Sequence, residues 1–281
     1  MSESIFFEKG LYLVATPIGN LGDLSLRAVA VLKNADVVAC EDTRITGKLL
    51  SLNAVSTPMV NYHEHNADKM RPVLTARLKK GETVALVSDA GTPLVSDPGH
   101  KLVADCIREG IYVTAVPGAS ALLTALQLSG LPTRRFLFQG FLPPKSSARK
   151  TTLSELKNVP STLIFYEAPQ RMIETLTDMK EVLGDRDCSV SRELTKKFEQ
   201  TVRGKISDIL DLYAQNGVPK GEFVIVVAPP LEEKAGEQDV ETALKQALET
   251  MSVKDAAAFV AQALNANKKE VYTLALKLKN G

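Results

Sequence analysis

The stretch with the densest chemical potential is Ser88–Gly99, SDAGTPLVSDPG, which follows the apolar run Val84-Ala85-Leu86-Val87. Apolar residues ending abruptly in Ser, Asp, Gly and Pro predict a buried strand running into a tight loop. That loop offers backbone amides with little side-chain bulk, a carboxylate near each end in Asp89 and Asp97, and two prolines, Pro93 and Pro98, that hold its shape. In open α/β sheets, ligands bind outside the carboxyl ends of the strands. The design recurs along the chain. Gly10 to Ala15 predicts a strand ending in Thr16-Pro17-Ile18-Gly19-Asn20, and Ile111 to Val116 one ending in Pro117-Gly118-Ala119-Ser120-Ala121. One such loop is a turn; three at one sheet end form a site.

Two polar clusters lie between these loops. Glu41-Asp42-Thr43-Arg44 follows the apolar ADVVA and reads equally as a capped helix start or as functional groups. Asn61-Tyr62-His63-Glu64-His65-Asn66 holds two histidines flanking a glutamate, but neither an HExxH spacing nor a cysteine partner follows, so no metal is expected. An acid/base role suits the segment better. No GxGxxG follows any predicted strand, which argues against a dinucleotide fingerprint.

The elements that position these groups alternate. Helices are expected from Leu26, capped by Ser25, around Val73–Leu78, from His100 to Glu109 and from Leu122 to Leu128, with strands between them; this alternation implies a parallel sheet. After Ser129-Gly130-Leu131-Pro132 the character changes. Arg134 to Lys150 is basic with no acid, carries Phe136, Phe138 and Phe141, and includes a proline-held loop from Leu142 to Ser147. Alternate phenylalanines fit a half-buried strand; the loop could carry cations to phosphates. Strands at Ser161–Tyr166, Ser189–Arg192 and Gly221–Ala228, with a helix from Met172 to Val182, suggest a mixed second sheet. A charged linker, Leu231–Gly236, leads to three short helices near 240–250, 253–264 and 268–279. Their last member carries Lys268, Lys269, Lys277 and Lys279 against Glu270, in the manner of a helix-turn-helix unit or a plain three-helix bundle. The expected division is an N-terminal α/β domain at 1–128, a second α/β domain at 129–231 and a helical module at 232–281.

Composition narrows the class. A net charge of +1 over 281 residues excludes a generally basic chain, so any nucleic-acid surface must be local. No apolar run approaches the ~20 residues of a membrane span, and the start MSESIFFEKG lacks a signal-peptide pattern. Three scattered cysteines, Cys40, Cys106 and Cys188, form no disulfide framework and suit a reducing cytoplasm.

In order, LYLVATPIGNLGDLSLRA, ACEDTR, LVSDAGTPLVSDPG, AVPGASA, FQGFLPPKSSAR, LIFYEAPQR, SRELTKKFE and GEFVIVV closely resemble the ribosomal RNA small subunit methyltransferase I family, within the tetrapyrrole methylase fold. The resemblance covers roughly residues 10 to 230, and the tail is similar to a helical extension found in part of the family. Gln170 departs from it, standing where the pattern has His. The resemblance implies two α/β domains with S-adenosylmethionine in the cleft between them, a homodimer, and 2′-O-methylation of a cytidine ribose in the decoding region of 16S RNA. It implies cofactor contacts at Pro17 and Ile18, at Ser88, Asp89, Ala90, Gly91, Thr92, Leu94 and Val95, at Ser120 and Ala121, and at Phe165, Tyr166 and Glu222. A ribose hydroxyl is a poor nucleophile and benefits from a base; Asp23, Glu41, Asp42 and His65 are the candidates. Arg44, Lys145, Arg149, Arg171, Arg192 and Lys196 are the candidates for RNA phosphates. Two other readings are a methyltransferase acting on a tetrapyrrole or diphthine intermediate, against which the basic stretches speak, and a non-enzymatic RNA-binding assembly factor, against which the intact small-residue loops speak.

Overall fold

The computed structural model describes residues 7–230, 237–264 and 266–280; the linker expected at Leu231–Gly236 and Asn265 of the expected helix break lie outside them. The chain divides at Pro230/Leu231 into two compact units.

The first half of the larger unit alternates as β1 (Leu11–Val14), α1 (Leu26–Asn34), β2 (Val37–Cys40), α2 (Thr43–Leu52), β3 (Met59–Asn61), α3 (Ala67–Lys79), β4 (Val84–Val87), α4 (His100–Arg108) and β5 (Val113–Val116). Its strands pair in parallel in the order β3-β2-β4-β1-β5. Successive strand residues face opposite ways. Leu11, Val37, Val84 and Leu86 therefore pack with Leu74, Leu102 and Cys106 of α3 and α4, while Tyr12, Val14, Val38 and Ala85 pack with Val31 and Leu32 of α1. Burial on both faces is why these strands read as unbroken apolar runs. Because β4, β1 and β5 are neighbours, the three loops of interest leave the sheet side by side.

The second half comprises α5 (Ala121–Ser129), β6 (Phe136–Phe141), α6 (Ser146–Leu156), β7 (Thr162–Glu167), α7 (Met172–Leu183), β8 (Asp187–Arg192), β9 (Gln200–Lys205), α8 (Ile206–Asn216) and β10 (Phe223–Val227). The order is β6-β7-β10-β8-β9; β6 and β7 run parallel and the remaining pairs antiparallel. Leu153, Leu176, Met179 and Ile209 of α6, α7 and α8 cover one face with Leu163, Phe165 and Ile225. Leu122, Ala125 and Leu126 of α5 cover the other with Ile164, Val224 and Val226. Helix α5, which ends at the division expected at 128/129, thus packs on the second sheet.

The sequence reading leaves out β3, α6, β9 and α8. Strand β3 spans only three residues, and β9 is a polar edge strand, QTVRGK, so neither carries a buried apolar run. The expected loop at Leu142–Ser147 is cut short, because Ser146 already opens α6.

The smaller unit holds α9 (Glu237–Leu248), α10 (Val253–Ala263) and α11 (Lys268–Asn280). Leu244, Ala257, Val260, Val271 and Ala275 form its core, and the Ser252 side chain caps α10 by accepting from the Asp255 amide. No helix among the described residues is long and apolar enough to cross a membrane.

All three cysteines are free and buried. Burial pushes the thiols of Cys40 and Cys188 up and that of Cys106 up to about 11, which suppresses the reactive thiolate. In a thiol titration near the free-cysteine pKa of about 8.5, the native protein is expected to show no fast-reacting cysteine, and the unfolded protein all of them.

Candidate functional site

Hydrogen bonds stitch the three loops together. The Thr16 and Gly91 backbones exchange bonds of 2.9 and 3.0 Å, Thr16 Oγ1 donates to the Ser88 carbonyl at 3.1 Å, and Thr92 Oγ1 donates to the Ala119 carbonyl at 3.1 Å. Gly91 sits at φ +83°, where a side chain would be strained, and a Cβ there would stand 3.2 Å from Ile18 Cγ2. Four of the five non-glycine residues in the left-handed region among the described residues, all but Ala54, lie in loops that reach this place. Leu94 and Ser96 (φ +73° and +66°) lie in the loop after β4, and Glu193 and Thr195 (φ +51° and +64°) in the loop after β8. Strain of this kind persists where surrounding structure over-determines the backbone. Here Asn20 N donates to Thr195 Oγ1 at 3.1 Å, joining the loop after β8 to the loop after β1.

Between the two sheets these loops enclose a cavity of about 460 Å³, the size of a small-molecule site. Asp89, Ala90, Gly91, Thr92, Val95 and Asp97 form one wall. Ile18, Ser120 and Ala121 join them, and Phe141, Tyr166, Leu194 and Glu222 close the cavity from the second sheet. The lining carries carboxylates and no lysine, arginine or histidine. It therefore suits a ligand with positive charge and no phosphate, because anions need cationic or amide donors that a carboxylate wall opposes.

Asp97 is the most perturbed of these acids. Burial, reinforced by the nearby charges of Glu41 and Asp89, raises its carboxyl to about 6 despite a hydrogen bond with Ser88. Asp89 is also raised, chiefly by burial, while accepting from the Asp42 amide at 3.1 Å.

Comparison with known proteins fits this architecture. Residues 10–210 match the family described as Tetrapyrrole (Corrin/Porphyrin) Methylases, and residues 234–279 match the RsmI C-terminal HTH domain. Ribosomal RNA small subunit methyltransferase I of Mesorhizobium japonicum is 48% identical over 97% of this chain and 93% of its own length. The Synechocystis protein of the same name is 43% identical over 96% and 98%. The chain belongs to the ribosomal RNA small subunit methyltransferase I family. Among solved structures, uroporphyrin-III C-methyltransferase of Thermus thermophilus, complexed with S-adenyl homocysteine, shares the fold at a TM-score of 0.53 and 23% identity over 77% of this chain and 96% of that one.

The structure of this methyltransferase sorts the expected site residues. Ile18, Asp89, Ala90, Gly91, Thr92 and Val95 line the cavity, as do Ser120, Ala121, Tyr166 and Glu222. Pro17, Ser88, Leu94 and Phe165 do not. Ser88 shapes the loop instead, its hydroxyl lying 3.2 Å from the Gly91 carbonyl, and Leu94 packs beside Leu86 beneath Gly99. Phe165 neighbours Tyr166 in β7, so strand alternation turns its ring to the opposite face, where it is fully buried beneath the helices.

None of Asp23, Glu41, Asp42 and His65 lines the cavity. Asp23 ends an exposed single-turn 3₁₀ helix, and the exposed His65 stacks edge-on against His63. Asp42 is the N-cap of α2, accepting from Arg44 N at 2.8 Å. Its pairing with the Arg44 side chain holds its carboxyl at about 2, too acidic for a base at neutral pH. Glu41 acts at a distance, by raising Asp97. Asp97 itself was legible as the second carboxylate of the SDAGTPLVSDPG loop; its burial was not.

The expected RNA cations divide similarly. Lys145 is exposed and has no ion-pair partner among the described residues. Arg44 is exposed but bound to Asp42. Lys196 is held by Glu193 and Glu222 at 3.1 and 2.8 Å, and Arg192 donates to the Lys220 carbonyl at 2.9 Å. Arg171 donates to the carbonyls of Leu142 and Pro143 at 2.6 and 3.2 Å and lies 3.3 Å from Glu167, so it braces a turn. Arg149 is 1% exposed, and its Nε donates to Asp178 at 2.7 Å; it cannot reach a phosphate.

Removing one member of a buried ion pair leaves the other uncompensated, at a cost of about 3–5 kcal/mol. Arg149→Ala is therefore expected to lower stability by roughly that amount in urea unfolding, and the double variant Arg149→Met/Asp178→Leu to recover most of the loss. Equal stability of Arg149→Ala and the parent would show that the pair with Asp178 does not hold the fold.

Proposed function

We propose that this methyltransferase acts in the cytoplasm, as a homodimer, on small-subunit ribosomal RNA, and transfers a methyl group from S-adenosylmethionine to the 2′-oxygen of a cytidine ribose in the decoding region. The carrying observation is a cavity lined by carboxylates without a basic side chain, in a chain 48% identical along nearly its whole length to a ribosomal RNA small subunit methyltransferase I. The cofactor has no phosphate and a net positive charge, its sulfonium and ammonium outnumbering its one carboxylate, which suits a lining whose charged side chains are all acidic. The glycine at Gly91 and the small side chains of Ala90 and Ala121 allow backbone groups to approach an adenosine closely. S-adenosylmethionine supplies a methyl group already activated on sulfur; in-line attack by the ribose oxygen forms the O–CH₃ bond, breaks the S–CH₃ bond and leaves S-adenosylhomocysteine.

The chain's own work is alignment, exclusion of water and removal of one proton. Asp97 takes over from the four candidates read in sequence as the proton acceptor. It lines the cavity, and a carboxyl at about 6 is ionised at neutral pH while remaining more basic than an ordinary aspartate. Lys145 is the best placed of the six cations for a phosphate, because among the described residues no acid pairs with it. The homodimer draws support from the edge strand β5 and from Leu26, which is 89% exposed beside Arg27, a donor to the Ala115 carbonyl of that strand.

The decisive assay follows label from S-adenosylmethionine into small subunits lacking the modification, with nuclease digestion and mass mapping. A single 2′-O-methylcytidine is the expected product; incorporation into a small molecule instead would favour a tetrapyrrole or diphthine substrate. The free-enzyme parameter kcat/KM for the cofactor should rise with pH through about 6 and then level off, since the acceptor must be ionised, while the limb in kcat should lie lower because the bound sulfonium favours the carboxylate. Asp97→Asn should lose that limb and about 10²–10⁴-fold in rate, and an unchanged pH profile would remove Asp97 from the mechanism.

A further inference from the structure

We propose that Phe141 is a stacking platform for the base of the nucleotide being methylated. The inference rests on the proposed RNA substrate and adds the residue that seats it. Phe141 ends β6, lines the cavity and is 57% exposed. A phenylalanine with more than half of its surface uncovered gains little for folding from that area, which stays in water.

The backbone is built to put it there. In a regular strand Phe138 and Phe141, three residues apart, would face opposite sides. The β6–β7 register shifts between Phe138 and Gly140, so that Phe138 pairs with Ile164 and Phe141 with Tyr166. A bulge of this type re-aims a side chain, and its left-handed position favours glycine; Gly140 has φ +74°. As a result both rings meet Tyr166 edge-to-face, Phe138 at 4.9 Å and Phe141 at 5.6 Å between centroids. The Phe141 ring is thereby positioned against Tyr166 while more than half of its surface stays exposed.

Three further contacts preorganise this strand end. Arg171 holds the Leu142 and Pro143 carbonyls, which fixes the turn that follows. A Cβ on Gly140 would stand 3.2 Å from Ser96 Oγ, so the bulge abuts the residue immediately before Asp97. Lys145, four residues beyond Phe141 and at the N-cap of α6, supplies a cation with no ion-pair partner among the described residues. An aromatic face, a neighbouring free cation and a carboxylate next to the bulge match the needs of one nucleotide: a base to stack, a phosphate to hold and a ribose hydroxyl to deprotonate. Proteins that read single-stranded RNA stack its unstacked bases on aromatic side chains.

The test compares full-length wild type with Phe141→Ala, Phe141→Leu and Phe141→Tyr, using small subunits lacking the modification for kinetics and S-adenosylhomocysteine calorimetry for the cofactor. Stacking on one base corresponds to roughly 10- to 100-fold. Phe141→Ala and Phe141→Leu are expected to lose that factor in kcat/KM for the subunit and to keep wild-type melting temperature and cofactor affinity within about 2-fold; Phe141→Tyr is expected to restore activity, since stacking needs a ring. Full activity in Phe141→Leu would overturn the proposal, as would a loss of cofactor affinity in Phe141→Ala, which would make the ring a cofactor cover. If wild type binds S-adenosylhomocysteine but puts no methyl group into small subunits, the RNA reading fails and the stacking proposal falls with it. Normal wild-type transfer with a Phe141→Ala variant as active as wild type would overturn the stacking proposal alone.

Discussion

The reciprocal backbone pair between Thr16 and Gly91 is the constraint on which the site depends. Loops that leave adjacent strands have no intrinsic reason to hold one arrangement, and each free amide or carbonyl in them would otherwise seek water. Here the loop after β1 is bonded to the loop after β4, and that loop in turn to the one after β5 through Thr92. Gly91 can serve because it reaches a left-handed conformation without a side chain in the way. The result is a wall of nearly bare backbone, rigid enough to present carboxylates at fixed positions.

That rigidity explains the electrostatics. A carboxylate on a mobile loop would hydrate and titrate near its ordinary value. Asp97 is instead kept partly out of water beside Asp89 and near Glu41, and all of these effects favour its neutral form. Asp42, one strand away, shows the opposite outcome from the same residue type. A helix N-terminus and an arginine surround it, and it is held strongly acidic. Both carboxylates belong to motifs that look equally chemical on paper, and environment alone divides them into a candidate base and a helix cap.

The second sheet contributes shape more than charge. Its face toward the cavity is covered by α5, which links the two sheets, and its strands are antiparallel apart from β6 and β7. The loop after β8 crosses to the first half through Thr195 and Lys196; a Cβ on Gly19 would stand 2.3 Å from Lys196 Cγ, so a bare backbone at Gly19 is what lets the lysine stem lie against it. Basic residues that seem available for RNA are largely consumed in holding this half together. Arg149 is locked to Asp178, Arg171 to two carbonyls and Arg192 to another.

The sequence by itself determined the parallel sheet, its strand-end loops and the family. Apolar runs cut off by Gly, Pro, Ser and Asp are local signals, and doubly buried strands leave them plainly. It also determined about half of the cavity wall, because small residues of SDAGTPLV and ASA occur where a ligand must approach backbone. Tertiary structure decided what depends on facing and neighbours. Phe165 and Tyr166 are adjacent and alike in sequence, yet strand alternation buries one and opens the other to the cavity. Phe141 reaches the cavity through a one-residue bulge at Gly140 that no periodicity shows. Arg149 and Lys145 belong to one basic stretch; only the packing of α6 on α7 buries the first against Asp178 and leaves the second in solvent. Charge type is written in the chain, but burial and pairing, which set what a charge can do, arise from residues distant in sequence.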